Sequence, residues 1–134
     1  MASIDLSAPV RDYTIAQGAT IELPFAITRH GNPVDLSGHY LRMQVRETYA
    51  STKVLINLTS QNGKLVWEDQ VGGTFKALLA ESDTATAGNP LIQFVKNSET
   101  LDCVYDVEAV SLEGYVYKVA RGAFVIEREV TRVS

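Results

Sequence analysis

The chain has 134 residues, of which 46% are hydrophobic and 21% charged, a composition typical of one globular domain and not of a disordered segment. Its formal net charge of −4 argues against a nucleic-acid-binding surface, which needs clustered Lys and Arg, and against a basic membrane-surface helix. The single cysteine, Cys103, excludes an internal disulfide, so the fold must rest on its core, and we expect this small thiol to be buried.

The first twelve residues are polar and irregular and contain Pro9. Such a terminal segment predicts an extended arm, which either frays or docks on a neighbouring molecule. We expect residues 13–134 to form a single β-sandwich domain, because no linker or internal repeat divides them.

Period-two alternation of apolar residues predicts most of the strands. Pro24 lacks the N–H that a sheet ladder needs, so its strand is expected at a sheet edge or with a bulge. The Asn62-Gly63 pair predicts a hairpin between the strands on either side of it. The predicted strands cover residues 13–15, 21–27, 40–46, 54–58, 65–67, 74–79 and, with a less regular pattern, 91–95.

The closing stretch from Leu101 to Ser134 predicts a long hairpin around the turn Leu112-Glu113-Gly114. A bulge at Gly122 is expected to bring both halves of its second strand into the core. Residues 81–88 form the one plausible helical turn, which we expect to cross between two sheets. About eight short strands and no helix of normal length favour a β-sandwich or a barrel.

The motifs of enzymes are missing: there is no nucleophile elbow, phosphate loop or zinc-protease signature. His30 and His39 lie beside turns with Asp35 between them, but a metal site needs three or four convergent ligands, so solvated loop histidines are expected. Glu127 and Glu129 share one strand parity, which is as typical of a solvated face as of a catalytic carboxylate pair. We therefore expect no enzyme activity, no metal and no cofactor.

Aromatic residues on one strand face and apolar residues in polar segments are the remaining candidates for contact with a ligand or a partner. Tyr115 and Tyr117 fall on one strand face, where packing in a core or an interface is favoured over stacking on a sugar ring. Together with Trp67 they define the alternative of a carbohydrate-binding module. Apolar residues in the polar terminal segments, and the loop at 47–53, predict a protein interface. The residues expected in it are Ile4, Leu6, Val10, Tyr49, Val130 and Val133.

Two parts of the sequence carry a family resemblance. The first runs from Pro33 to Arg46 and reads PVDLSGHYLRMQVR. The second comprises Tyr105-Asp106-Val107-Glu108, the glycines Gly114 and Gly122, and Glu129-Val130-Thr131-Arg132. Together they resemble small structural proteins of tailed bacteriophages, in particular the immunoglobulin-like N-terminal domain of baseplate upper proteins. The resemblance covers residues 13–132.

This resemblance implies an all-β fold, an immunoglobulin-like antiparallel β-sandwich of about eight strands with one short helical turn. It also implies a non-enzymatic virion structural protein that acts as a tail, baseplate or fibre-attachment adaptor. Such a protein would be made in the host cytoplasm and located in the virion, where it assembles with other virion proteins and with copies of itself. A capsid decoration protein is the alternative within the same class.

The residues of the motif also have a structural role of their own. Asp35 is expected to bond a nearby backbone amide in a tight turn, and Gly38 to release the chain into the next strand. Asp106 is expected to pair with Arg42 or Arg46 on a neighbouring strand. The expected fold determinants are therefore Asp35, Gly38, Arg42, Arg46, Asp106, Gly114 and Gly122.

Overall fold

The structure, a computed structural model, describes residues 9–130. Within them it contains ten strands and one helical turn, and eight of the strands are longer than two residues. The elements are β1 (Tyr13–Ala16), β2 (Ile21–Ala26), β3 (Thr28–Arg29), β4 (Asn32–Pro33), β5 (Tyr40–Arg46), β6 (Ile56–Thr59), β7 (Leu65–Asp69), β8 (Thr74–Leu79), α1 (Glu81–Thr84), β9 (Thr100–Val110) and β10 (Val116–Glu127).

The strands form two sheets that pack face to face. One sheet has the order β1-β10-β9-β5-β6, and the other has the order β2-β8-β7. All neighbours are antiparallel except β1, which runs parallel to β10. This separation of the strands between two layers is that of an immunoglobulin-like β-sandwich, as expected from the sequence. β3 and β4 form a small separate hairpin in the connection from β2 to β5.

Aromatic rings from both sheets fill the centre of the core. Phe25 of β2 stacks on Phe75 of β8 with ring centroids 5.0 Å apart. Tyr105 of β9 reaches Phe25 across the layers at 6.4 Å and meets Phe124 of β10 at 6.1 Å. All four side chains are at most 2% exposed. Because aromatic side chains bury large areas and prefer such tilted contacts, this cluster joins the sheets without a disulfide.

The free edge of β2 is contacted by the first residue of β1 and by Arg11, which precedes that strand. The Tyr13 hydroxyl donates a hydrogen bond to the Pro24 carbonyl at 3.2 Å, and the Arg11 guanidinium donates one to the Ala26 carbonyl at 3.3 Å. Since a strand residue turns its N–H and C=O to the same side, Pro24 occupies a position whose N–H would face away from β8. The predicted edge position of Pro24 is confirmed, because β2 is an outer strand of its sheet.

The Asn62-Gly63 turn exists, but it does not make a hairpin, and this prediction is wrong. The strand before it, β6, belongs to the five-stranded sheet, and the strand after it, β7, belongs to the other sheet. The Asn62 side chain accepts hydrogen bonds from the amides of Thr59 and Lys64 and donates one to the Asn57 carbonyl. Those bonds stabilise a corner between two sheets as well as they would stabilise a hairpin.

The strand predicted at 91–95 is absent, and that segment is a turn followed by irregular chain. Its apolar alternation reflects Ile92, which is fully buried, and Phe94, which is partly buried against the core, whereas Leu91 and Val95 are exposed. Asn89 fixes the turn, because its side chain donates to the carbonyls of Leu55 and Asp83. The helical turn predicted nearby is present as α1, in the crossing from β8 to β9.

The closing hairpin is present as β9 and β10, and its second strand does contain a bulge. The bulge lies between Lys118 and Ala120, not at the predicted Gly122. Val119 and Ala120 are therefore both buried although they are adjacent in sequence. Gly122 pairs regularly with Tyr105, and it is needed there because a Cβ would collide with the Arg11 carbonyl oxygen.

Candidate protein-interaction surface

The outer end of the closing hairpin exposes four large apolar side chains, which we call the hairpin tip: Leu112, Tyr115, Val116 and Tyr117. Leu112 is 88% exposed and Tyr115 is 67% exposed. Val116 and Tyr117 have opposite strand parity, yet both are about half exposed. This part of the hairpin therefore turns neither face to the core. A contiguous cluster of apolar residues on a surface is typical of an interaction site, whereas single exposed apolar residues are common on any surface.

The turn that carries the hairpin tip is held by hydrogen bonds to one serine. The Ser111 amide donates to the Tyr115 carbonyl at 2.9 Å, and the Tyr115 amide donates to the Ser111 hydroxyl at 3.0 Å. Gly114 donates its amide to the Ser111 carbonyl and has φ 92°, a value that glycine adopts without strain. The backbone of the tip is thus a closed turn held by these hydrogen bonds.

A cavity of about 420 Å³ lies beside the hairpin tip, and we call it the tip cavity. It is lined by the connection from β2 to β5 on one side and by residues 117–119 of β10 on the other. Ile27, Val34 and Leu36 supply apolar lining, and Pro9 also contributes to it. Its charged lining residues are Arg29, Asp35 and Lys118, and it is also lined by His30 and His39.

The motif residue Asp35 lines the tip cavity, and Gly38 makes a turn close to it in the sequence. The Asp35 carboxylate accepts a hydrogen bond from the Ser37 amide at 2.9 Å, and hydrogen bonding from Ser37 lowers the pKa of Asp35. Gly38 has φ 76°, so it makes the turn that precedes β5. His39 Nδ1 lies 3.0 Å from the Ser37 carbonyl oxygen, and its ring packs 5.7 Å from that of Tyr117. This contact joins the cavity wall to the hairpin tip.

A row of charged residues crosses the outer face of the five-stranded sheet. Glu108 of β9 lies between Arg42 of β5, which donates to it at 2.5 Å, and Lys118 of β10, which also donates to it. The Glu108 side chain is only 14% exposed. Burial acts to raise the pKa of Glu108, but the hydrogen bonds from Lys118 and Arg42 outweigh it and leave this pKa below its ordinary value.

The predicted pairing of Asp106 with Arg42 or Arg46 is wrong. The register places Glu108 opposite Arg42, whereas Asp106 lies opposite Gln44 and contacts Lys118 at 3.4 Å. Arg46 instead donates to the Ser51 carbonyl and to the Gln44 side chain. It therefore holds the loop that contains Tyr49, which lies at the same outer face of the sheet.

Three of the residues predicted to form a protein interface lie within the described part of the chain. Val10, Tyr49 and Val130 are exposed, by 59%, 57% and 92% respectively. They belong to three separate segments, which precede β1, follow β5 and follow β10. Ile4, Leu6 and Val133 lie outside the described residues. The sequence analysis missed Leu112 and Val116, although four apolar residues within six positions of a turn are a signal for an exposed site.

The side chains that could bind a metal or act as a nucleophile are considered next, within the described part of the chain. No group of three or more His, Cys, Asp or Glu residues within 9–130 is placed to hold a metal ion, although His30 and His39 line the same cavity. Cys103 is buried, as expected, and burial followed by the charges of Glu47 and Asp102 raises the pKa of its thiol to about 12. The thiol is therefore protonated at neutral pH.

The three aromatic residues considered for sugar binding lie on different sheets. Trp67 belongs to β7 of the three-stranded sheet and packs edge-on against the buried Phe75 at 5.8 Å. Tyr117 belongs to β10 of the five-stranded sheet, and Tyr115 directly precedes that strand. A carbohydrate site would accordingly use the two tyrosines without Trp67.

Comparisons with known proteins identify no family for this chain. The sequence matches no protein-family model and no curated protein. Among solved structures, the chain is similar to one in the crystal structure of ICOS in complex with ICOS-L and an anti ICOS-L VNAR domain. The similarity has 14% sequence identity and a TM-score of 0.41, and it covers 91% of this chain and 56% of that one. The chain thus spans little more than half the length of that neighbour.

Across residues 9–130, no helix has the length and apolar character to span a membrane.

Proposed function

We propose that this chain is a non-enzymatic structural protein of a tailed bacteriophage virion, which acts by protein–protein assembly as a tail, baseplate or fibre-attachment adaptor. Its partners are other virion proteins and copies of itself. The family assignment rests on the resemblance of residues 33–46 and of the closing hairpin. The mode of action rests on the structure.

The observation that carries the mode of action is the hairpin tip. Four exposed apolar side chains, two of them tyrosines, sit on a turn held by Ser111. Tyrosine is enriched in protein interfaces because it combines a large apolar ring with a polar hydroxyl and few rotatable bonds. A rigid sandwich that presents such a tip suits docking of preformed parts, which is what assembly of a particle requires.

A capsid decoration protein is the second candidate within this class, because the same tip would serve a capsid surface equally well. The two roles differ in copy number. A tail adaptor is present in a few to a dozen or so copies per particle, whereas a decoration protein is present in hundreds. A carbohydrate-binding module is a third candidate, supported by the neighbouring Tyr115 and Tyr117 beside the tip cavity.

The first experiment determines whether the hairpin tip mediates assembly. The double variant Tyr115→Ser/Tyr117→Ser removes two rings from the tip, and Val71→Ser/Val95→Ser is the matched control with two exposed apolar side chains elsewhere. Light scattering across a concentration series gives the native mass of each protein. We expect a closed oligomer that the double variant dissociates and the control leaves intact. A wild-type oligomer that both variants retain would contradict the assignment of the tip.

The second experiment addresses the virion and covers the case of a monomeric wild type. Purified particles of the phage that encodes the chain are analysed by quantitative mass spectrometry, and cross-linking identifies the neighbours of the hairpin tip. We expect the chain to be present at a fixed copy number with cross-links from residues near the tip. Particles that lack the chain would refute the virion assignment, and a glycan array with strong hits that the double variant abolishes would favour the carbohydrate module.

A further inference from the structure

The outer face of the five-stranded sheet carries a groove, which we call the sheet groove. Its volume of about 340 Å³ falls in the range of about 300–1,000 Å³ that is typical of small-molecule sites. Its lining comes from side chains of β5 and β9, from Lys118 of β10 and from Tyr49 in the loop after β5. It is therefore a different site from the hairpin tip and the tip cavity, although Lys118 lines both cavities.

The fixed charges of the sheet groove nearly cancel. Three basic side chains and two carboxylates line it, so its net charge is +1: Arg42, Arg46 and Lys118 against Asp106 and Glu108. Glu108 accepts from Arg42 and Lys118, and Lys118 also contacts Asp106 at 3.4 Å. A polyanion would meet two carboxylates in this groove, and a polycation would meet three basic groups. The groove thus favours a polar ligand without net charge.

Hydrogen-bonding groups of both kinds remain in the sheet groove within residues 9–130. Arg42 bonds Glu108 through Nε, which leaves its two NH₂ groups as donors, and Gln44 accepts from Arg46 through its oxygen, which leaves its NH₂ group. Asp106 has Oδ1 as an acceptor. Gln44 lies opposite Asp106, at a strand spacing of about 5 Å, and Arg42 lies about 7 Å along β5. Such a mixture suits neighbouring sugar hydroxyls, because each hydroxyl both donates and accepts.

Tyr49 supplies an aromatic ring beside these polar groups. It is 57% exposed, and its turn is closed by a hydrogen bond of 3.1 Å from the Ser51 amide to the Thr48 carbonyl. Arg46 donates to the Ser51 carbonyl at 2.5 Å and so holds this turn to the sheet. A sugar ring has an apolar face of C–H groups, and an aromatic ring gives that face a surface to pack on while the polar groups set its orientation.

We propose that the sheet groove binds a neutral oligosaccharide. One sugar ring packs against Tyr49, and its hydroxyls bond to Arg42, Gln44 and Asp106. The mutual hydrogen bonds of the charged row hold these side chains in place before the ligand arrives, which lowers the entropy lost on binding. The hairpin tip takes no part in this site, so the inference does not depend on the proposed role in assembly.

Nuclear magnetic resonance titration of the full chain tests the proposal. The probes are neutral oligosaccharides of glucose, galactose, mannose or N-acetylglucosamine, at millimolar concentration. We expect at least one of them to shift the amide signals of residues 42–49 and 104–108. Tyr49→Ala should weaken its binding about tenfold, because the stacking surface is lost, whereas Tyr49→Phe keeps the ring and should bind like wild type. Val95→Ala is the control, an exposed apolar side chain outside the groove.

Four outcomes would overturn the proposal. The first is the absence of any shift with the neutral sugars. The second is binding only of sulfated or phosphorylated sugars, titrated in parallel, which would make the groove an anion site. The third is affinity lost in Tyr115→Ser/Tyr117→Ser but kept in Tyr49→Ala, which would place the sugar at the hairpin tip. The fourth is an equal loss in Tyr49→Ala and Val95→Ala. The native mass by light scattering tests assembly separately from all four.

Discussion

Replacement of Tyr105 by phenylalanine removes one oxygen atom from the interior and leaves the ring in place. That hydroxyl donates a 2.6 Å hydrogen bond to the Arg11 carbonyl and so links a core side chain to the segment before β1. The tyrosine is 1% exposed, so the bond is largely shielded from water. Loss of such a bond costs about 1 kcal/mol, and a carbonyl left unpaired raises the cost toward about 2 kcal/mol. We expect Tyr105→Phe to lower the free energy of unfolding by that amount.

Urea unfolding followed by Trp67 fluorescence measures the change, and thermal unfolding should show a fall of about 4–8 °C, at about 4 °C for each kcal/mol in a domain of this size. Tyr117→Phe is the control, since its ring is half exposed and its hydroxyl has no hydrogen-bond partner among the described residues. Faster exchange of the Arg121 amide in Tyr105→Phe would localise the loss to the arm. A stability within about 0.3 kcal/mol of wild type, or an equal loss in Tyr117→Phe, would refute this reasoning.

Gly122→Ala should displace the segment at Arg11 and lower stability by about 1–3 kcal/mol, because the new Cβ overlaps the Arg11 carbonyl; a melting temperature equal to wild type would contradict this. Since the pKa of Glu108 is lowered in the fold, its ionised form stabilises the protein above the ordinary value of 4.5, and that contribution is lost as the pH falls through the folded pKa. Wild type should therefore be more stable than Glu108→Gln at pH 7, and the difference in urea midpoint should shrink by pH 3; a difference independent of pH would count against the charged row. Cys103 should resist iodoacetamide at pH 8 in the folded protein and react fully in urea, as mass spectrometry would show, and rapid labelling of the native protein would be inconsistent with its burial.

Local features that act through backbone chemistry could be predicted from the sequence. Alternation of apolar residues located β5 and β8, because a strand with one buried face must bury every second side chain. Pro24 identified an edge strand, since the missing N–H excludes it from a position between two strands. Gly38 identified a turn, and its positive φ shows why glycine is required there.

Features that depend on the pairing of distant segments could not be predicted in the same way. The partner of Arg42 is set by the register of β5 on β9, and a shift of two residues replaces Asp106 by Glu108. A bulge at any of several positions of β10 would turn residues of both parities toward the core. The structure places it at Val119, where the side chains of Val119 and Ala120 both enter the core. Asn62 makes the same local hydrogen bonds in a corner as in a hairpin, so its signal did not specify the sheet of the next strand.

The exposure of the hairpin tip was missed for a related reason. Tyr115 and Tyr117 share a parity that would place them in a core if the second sheet extended over them. The length of the opposite sheet is a property of strands far away in sequence, and its strand β8 has only six residues against twelve in β10. The sequence did contain one sign of an exposed site, which is the high number of apolar residues at the turn. The alternation of apolar and polar residues, from which the strands were predicted, does not take this number into account.

The closed edge of β2 has a consequence for how copies of this protein behave when they are crowded. An open strand edge is a template on which further chains add without limit, and such growth leads to fibres or precipitates. Here Pro24 withholds the donor, and the side chains of Tyr13 and Arg11 already occupy the Pro24 and Ala26 carbonyls. Growth along that side is therefore blocked before any partner arrives. Replacement of Pro24 by a β-branched residue would return an amide to the edge, and the first sign should be turbidity at high concentration rather than loss of the fold.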